Sequence, residues 1–134
     1  MPDYVVDASA AVDALGAKDA AGIALRSRIT AATCHAPHLI DAEVGSALRR
    51  GLRRGDFEKE ETARTALRAL TRMIDHRYPH TARISDLSWE LRHVVTFYDG
   101  LYVALATMLD LPLLTSDAKL AKAPDLPCRF ELIN

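Results

Sequence analysis

Four carboxylates stand where an acid needs a reason: Asp7, Glu43, Asp99 and Asp117. Asp7 closes a β-prone run over residues 4–6, and Asp117 closes an apolar run over residues 111–115, each directly ahead of a helical pattern. Asp99 lies in the first turn of FYDGLYVALATML, whose residues 101–109 are apolar apart from Thr107, the pattern of a helix buried on all sides. Glu43 shares a helical face with Ile40 and Ala47, where a charge is costly unless something pairs with it. Taken singly, Asp7, Asp99 and Asp117 are explained by helix capping, worth about 1 kcal/mol, and Glu43 by a buried arginine partner or by a slide to the surface. Gathered in one crevice, they could not coexist as bare charges, since a like-charge pair about 4 Å apart costs on the order of 4 kcal/mol at an effective dielectric near 20. A divalent cation resolves this. Oxygen ligands without thiolate or imidazole suit Mg²⁺ or Mn²⁺, and the chemistry they imply is metal-assisted phosphodiester hydrolysis.

The elements that must position these acids follow from periodicity. Strands are expected over residues 4–6, 33–36, 111–115 and 129–133, and helices over 8–15, 18–29, 37–53, 57–75, 84–95, 97–109 and 118–123. Pro37 suits a first helical turn, Leu67, Leu70 and Ile74 are expected inward, and Tyr78 and Pro79 are expected to end a helix. Short apolar strands separated by helices predict an α/β sandwich around a mainly parallel sheet, with any site beyond the carboxyl ends of the strands. No internal repeat or Gly/Ser linker divides the chain, so residues 1–134 are expected to form one domain.

Composition narrows the class. Hydrophobic residues make up 49% and charged residues 26%, values of an ordinary globular chain, and a net charge of −1 gives no global sign of a nucleic-acid partner. Cys34 and Cys128 lack metal-like spacing and read as small core residues of a reduced compartment. The opening MPDYVVDASA has neither a basic region nor a long apolar run, so a cytoplasmic location is expected. Neither GxGxxG, GxxxxGK[ST], GxSxG nor HExxH occurs, which weakens nucleotide-binding, hydrolase-elbow and zincin readings.

The four acidic segments, VVDASA, DAEVGSALRR, FYDGLYVALA and LLTSD, in this order and spacing, resemble the motifs of PIN-domain ribonucleases, and in particular VapC-type toxins of toxin–antitoxin modules. The resemblance runs nearly end to end. It implies a PIN-like α/β/α sandwich with a five-stranded parallel sheet, Mg²⁺ or Mn²⁺ at Asp7, Glu43, Asp99 and Asp117, endonucleolytic cleavage of RNA, a homodimer, and inhibition by a cognate antitoxin protein. Ser9 and Thr115 match positions that hold carboxylates or metal-bound water through hydrogen bonds. Gly100 stands where Ala is more usual, and Lys119 where some relatives carry one more acid.

Arg49, Arg50, Arg53 and Arg54 follow the Glu43 segment and could contact RNA phosphates beside the site, the alternative being a solvated face. His38 is a further polar candidate near the site, the other histidines reading as structural or surface residues. The rival to catalysis is a PIN-like module that binds RNA or protein without cutting. A receiver-type signalling domain fits the spacing less well, since Asp7 is followed by Ala8 and Ser9 rather than by a second acid.

Overall fold

The computed structural model describes residues 2–133. Its elements run β1 (Asp3–Val6), α1 (Ala8–Leu15), α2 (Ala20–Thr30), β2 (Thr33–Pro37), α3 (Leu39–Arg54), α4 (Glu60–Met73), β3 (His76–Tyr78), α5 (Arg83–Glu90), α6 (Phe97–Leu109), β4 (Leu113–Thr115), α7 (Ala118–Ala121) and β5 (Phe130–Leu132). All strand pairs are parallel, in the order β3-β2-β1-β4-β5. Right-handed crossovers, the rule for parallel strands, put α1 to α4 on one face of the sheet and α5 to α7 on the other. The packing agrees, with α6 against β1, β2 and β4, and α1 against α2, α3 and α4. The α/β sandwich with a parallel five-stranded sheet is therefore as expected.

The order of connection reverses between β1 and β4, and the carboxyl ends of those two strands define the sheet's switch point, where open α/β sheets place ligands. Val5 and Val6 register with Leu113 and Leu114 there, all fully buried. Against them lies α6, buried from Gly100 to Ala106 before Met108 emerges into solvent, so its all-round burial holds for two turns rather than for the whole helix.

Several local expectations differ. β3 is a strand that periodicity missed: HRY is short, polar and at the sheet edge, and Tyr78 belongs to it rather than ending a helix. It is tied in by backbone pairing to β2 and by Arg77, which donates to both Asp41 oxygens at 2.8 and 2.9 Å. Pro37 is the last residue of β2, not a helical position, and His80 Nε2 accepts the Leu39 N–H at 2.8 Å at the start of α3. Leu67 points outward, whereas Leu70 and Ile74 are buried as expected. The segment expected to be helical over 84–95 stops at Glu90, because residues 91–94 fold as a turn that delivers the chain to the α6 cap. Cys34 is buried and unbridged, and burial pushes its thiol up to about 12, which makes it an inert packing group. No helix among the described residues is long and apolar enough to cross a membrane.

Candidate active site

Asp7 ends β1 at the switch point and is 6% exposed. Three donors clamp its carboxylate: Ser9 Oγ at 2.7 Å and the Ala10 N–H at 3.0 Å on Oδ1, and Thr115 Oγ1 at 2.5 Å on Oδ2. Thr115 in turn accepts the Asp117 N–H at 3.0 Å, and Ser9 Oγ accepts the Ser116 N–H at 3.0 Å. One hydroxyl pair, Ser9 and Thr115, thus stitches the ends of β1 and β4 together. Asp7 also caps α1, and Asp117 caps α7 through the Lys119 and Leu120 N–H groups. Capping and a place in the crevice are compatible: a carboxylate has about four acceptor directions, and a cap occupies only some of them.

Asp99 is different. The α6 cap is Thr96, whose hydroxyl accepts the Asp99 N–H at 3.1 Å, so capping does not account for this acid. Glu43 enters from α3, half-buried, and among the described residues no arginine pairs with it. Tyr102 Oη donates to Glu43 Oε1 at 2.7 Å, joining α3 to α6 across the crevice. Tyr102 is three residues after Asp99, hence on the same helical face, within an apolar run that does not single it out. The signal available was that a buried tyrosine hydroxyl needs a partner, and Glu43 was the unpartnered group. Burial and the Glu43 carboxylate push the Tyr102 phenol up, which keeps it a donor.

The electrostatics tie the four acids to one another. Burial raises the Asp7 pKa against the pull of its three hydrogen bonds, and Asp117 raises it further. Burial raises Glu43 as well, Tyr102 opposes the shift, Asp99 and Asp7 add to it, and Arg50 opposes it. Asp99 is raised by burial, then by Asp117 and Asp7, with Thr96 opposing. Asp7, Glu43 and Asp99 thus each feel at least one other acid, Asp117 acting on Asp7 and Asp99. They do not close into a cage: among the described residues no three Asp, Glu, His or Cys side chains stand as a ready ligand cluster. Asp7, Glu43 and Asp117 are turned toward neighbouring donors, as mutually repelling carboxylates would be. The donor set, oxygen only and rich in negative charge, fits a hard divalent ion.

The arginines divide. Arg50 lies two turns after Glu43 on α3, reaches Ser46 Oγ at 3.0 Å, and is close enough to lower the Glu43 pKa. Arg54 is paired with Asp56 at 2.7 Å. Arg49 lines a groove between α3 and α4 with Glu60 and Arg64, and Arg53 is exposed at the end of α3. His38 is exposed and lies edge-on to His80, with ring centroids 6.3 Å apart.

Fold and site together define a parallel α/β domain that carries carboxylates at the sheet's switch point. The family model of the PIN domain matches residues 4–126, and the chain belongs to that family. It is 56% identical to Ribonuclease VapC1 of Mycobacterium tuberculosis over 99% of both chains. Among solved structures it resembles PAE2754 from Pyrobaculum aerophilum, with a TM-score of 0.64 at 25% identity over 96% of this chain and 89% of that one. It also shares the fold of VapBC2 from Rickettsia felis bound to a promoter DNA fragment, with a TM-score of 0.70 at 15% identity over 98% and 99% of the two chains.

Proposed function

We propose that this chain is a divalent-metal-dependent endoribonuclease toxin, acting as a single domain in the cytoplasm and held inactive by a cognate antitoxin. Asp7, Glu43, Asp99 and Asp117 would hold Mg²⁺ or Mn²⁺. The observation that supports this most is the raising of Asp7, Glu43 and Asp99 by burial and, beyond burial, by neighbouring acids, which makes the crevice unfavourable for carboxylates alone and favourable for a cation. RNA as the substrate is supported by the likeness to Ribonuclease VapC1 over nearly the whole chain, and the antitoxin by the resemblance to VapC-type toxins.

When bound, the ion supplies Lewis-acid activation of water and neutralises charge gathering on the scissile phosphate. The chain's own residues do the positioning. Ser9, Thr115 and the Ala10 amide fix the Asp7 carboxylate, so it costs no reorganisation during the reaction. Tyr102 holds one oxygen of Glu43 and leaves the other free. Thr96 occupies the capping position of α6, which frees the Asp99 carboxylate for the crevice. Arg50, on the Glu43 side of α3, is the arginine best placed to steer a phosphate; Arg49, Arg53 and Arg54 would contribute to the outer field. A homodimer belongs to the same proposal, supported by the exposed large side chains Trp89, Phe97 and Tyr98 on the packed pair α5 and α6.

The test is cleavage of single-stranded RNA by the purified chain with Mg²⁺ or Mn²⁺, with EDTA, and with EDTA followed by excess Mn²⁺. The proposal expects cleavage, loss and recovery in that order. Cleavage that survives exhaustive chelation would overturn the metal dependence, and binding of RNA without cleavage under every condition would favour the non-catalytic module instead.

A further inference from the structure

We infer that the cleft leading away from Asp99 and Asp117 is the subsite for the unpaired RNA nucleotide next to the cut: Lys119 and Lys122 hold its phosphate, and Val94 and Pro124 form the wall for its base. The inference rests on the ribonuclease reading and deepens it. The cleft has a volume of about 720 Å³ and is bounded by Asp99 and Asp117 as well as by these four residues. Three other cavities, of about 710, 610 and 450 Å³, include none of the four acids. Its size lies in the range of small-ligand sites, roughly 300–1,000 Å³, enough for one nucleotide.

The charge pattern along the cleft suits a polyanion anchored at one end. An acidic centre repels the phosphates that flank the scissile one, so the strand needs free cations just beyond it. Lys119 and Lys122 meet that need. They are three residues apart on and just after α7, hence on one side of it, both are exposed, and among the described residues neither takes part in an ion pair. Arg28, Arg54, Arg64, Arg68, Arg77 and Arg129 are all paired with carboxylates. Much of the remaining lining is aliphatic, with Val94 42% exposed in the turn before α6. A base lying on it is buried without being read by hydrogen bonds, which favours tolerance of sequence and demands a base free of its duplex partner.

The test uses the full chain in EDTA, so that nothing is cut, and a fluorescein-labelled single-stranded RNA of mixed sequence read by fluorescence anisotropy. Two phosphate contacts on a single strand lower the salt slope of binding by about 1.4, which amounts to about 25-fold in affinity at 0.1 M salt relative to 1 M. Lys119→Ala with Lys122→Ala should show both losses, while Lys119→Arg with Lys122→Arg binds as wild type. Removing every base from the RNA to leave an abasic strand should weaken wild-type binding, and Val94→Asn should shrink that dependence on the bases. Wild-type affinity and salt slope in the double alanine variant would overturn the inference, as would an arginine pair that binds as weakly as the alanine pair or a dependence on the bases indifferent to Val94. A wild-type chain that neither binds nor cuts RNA would overturn the nuclease reading itself, an outcome distinct from the others.

Discussion

Gly100 sits one residue after Asp99, and adding a single methyl there should move the first turn of α6. A Cβ built at Gly100 falls on the Ser88 hydroxyl of α5 and 3.3 Å from both the Ser88 Cβ and its carbonyl oxygen. Ser88 is fully buried, and its hydroxyl donates to the Phe97 carbonyl at 2.7 Å. Gly100→Ala must therefore rotate the hydroxyl away or part the two helices. A buried hydroxyl left unpaired costs about 1–3 kcal/mol. Overpacking of one methyl costs about 1–3 kcal/mol. Replacing a helical glycine by alanine returns about 1 kcal/mol, so either route leaves a net loss of up to about 2 kcal/mol. For 134 residues at about 2.1 cal/mol/K each, that lowers Tm by up to about 7 °C. Thermal melting of wild type, Gly100→Ala, Ser88→Ala and the double variant measures it as a cycle. Ser88→Ala removes the atom that clashes, so the double variant should melt above Gly100→Ala alone. RNA cleavage by Gly100→Ala should fall as well, because Asp99 is displaced with the turn. A Gly100→Ala protein that melts at or above wild type would refute the close-approach argument, and so would a double variant no better than the single.

Three further outcomes follow from the site. In metal-free protein the folded pKa of Asp99 is raised by burial and by Asp117 and Asp7, so the native state binds that proton more tightly than the unfolded chain. The stability this acid withholds at neutral pH should return as pH falls through its folded pKa toward the unfolded range near 3.8. Asp99→Asn should accordingly melt higher than wild type at neutral pH without metal, with the gap closing in acid; equal melting at both ends would show that the acids are not coupled. Tyr102→Phe removes the donor to Glu43 and should cost about 1–3 kcal/mol at neutral pH, less as Glu43 protonates, read from urea unfolding at two pH values. A pH-independent loss would assign Tyr102 to packing alone. Arg50→Ala should lower the salt slope of single-stranded RNA binding by about 0.7, whereas Arg54→Ala, whose guanidinium already faces Asp56, should lower it less; equal slopes would return both to a solvated face.

The parts of this fold that were legible are those whose sequence signal and tertiary role coincide. The apolar stretch of α6 is buried because it lies across three strands, and the strand–acid–helix pattern at Asp7 and Asp117 marks the two strand ends that flank the switch point. The parts that were not legible depend on partners far away in sequence. β3 has three residues and no apolar alternation, and it exists because β2 offers it an edge and Asp41 holds its arginine. Leu67 fits the helical repeat of α4, yet its position lies along the groove with α3 rather than in the core. Glu43 was visible as an anomaly, but its answer, Tyr102, is 59 residues on in another helix. The close approach of α5 and α6 at Gly100 is likewise invisible until Ser88 is placed beside it.

The central claim is that Asp7, Glu43, Asp99 and Asp117 jointly hold the ion that cuts RNA. It is tested most directly by preparing Asp7→Asn, Glu43→Gln, Asp99→Asn and Asp117→Asn singly and measuring, on the same samples, Mn²⁺ binding by electron paramagnetic resonance and Mn²⁺-dependent RNA cleavage, with circular dichroism to verify the fold. Every variant is expected to stay folded, bind Mn²⁺ more weakly than wild type, and lose cleavage in step with that binding. A folded variant that cuts RNA at the wild-type rate, or a wild-type chain whose cleavage is unrelated to Mn²⁺ occupancy, would contradict it.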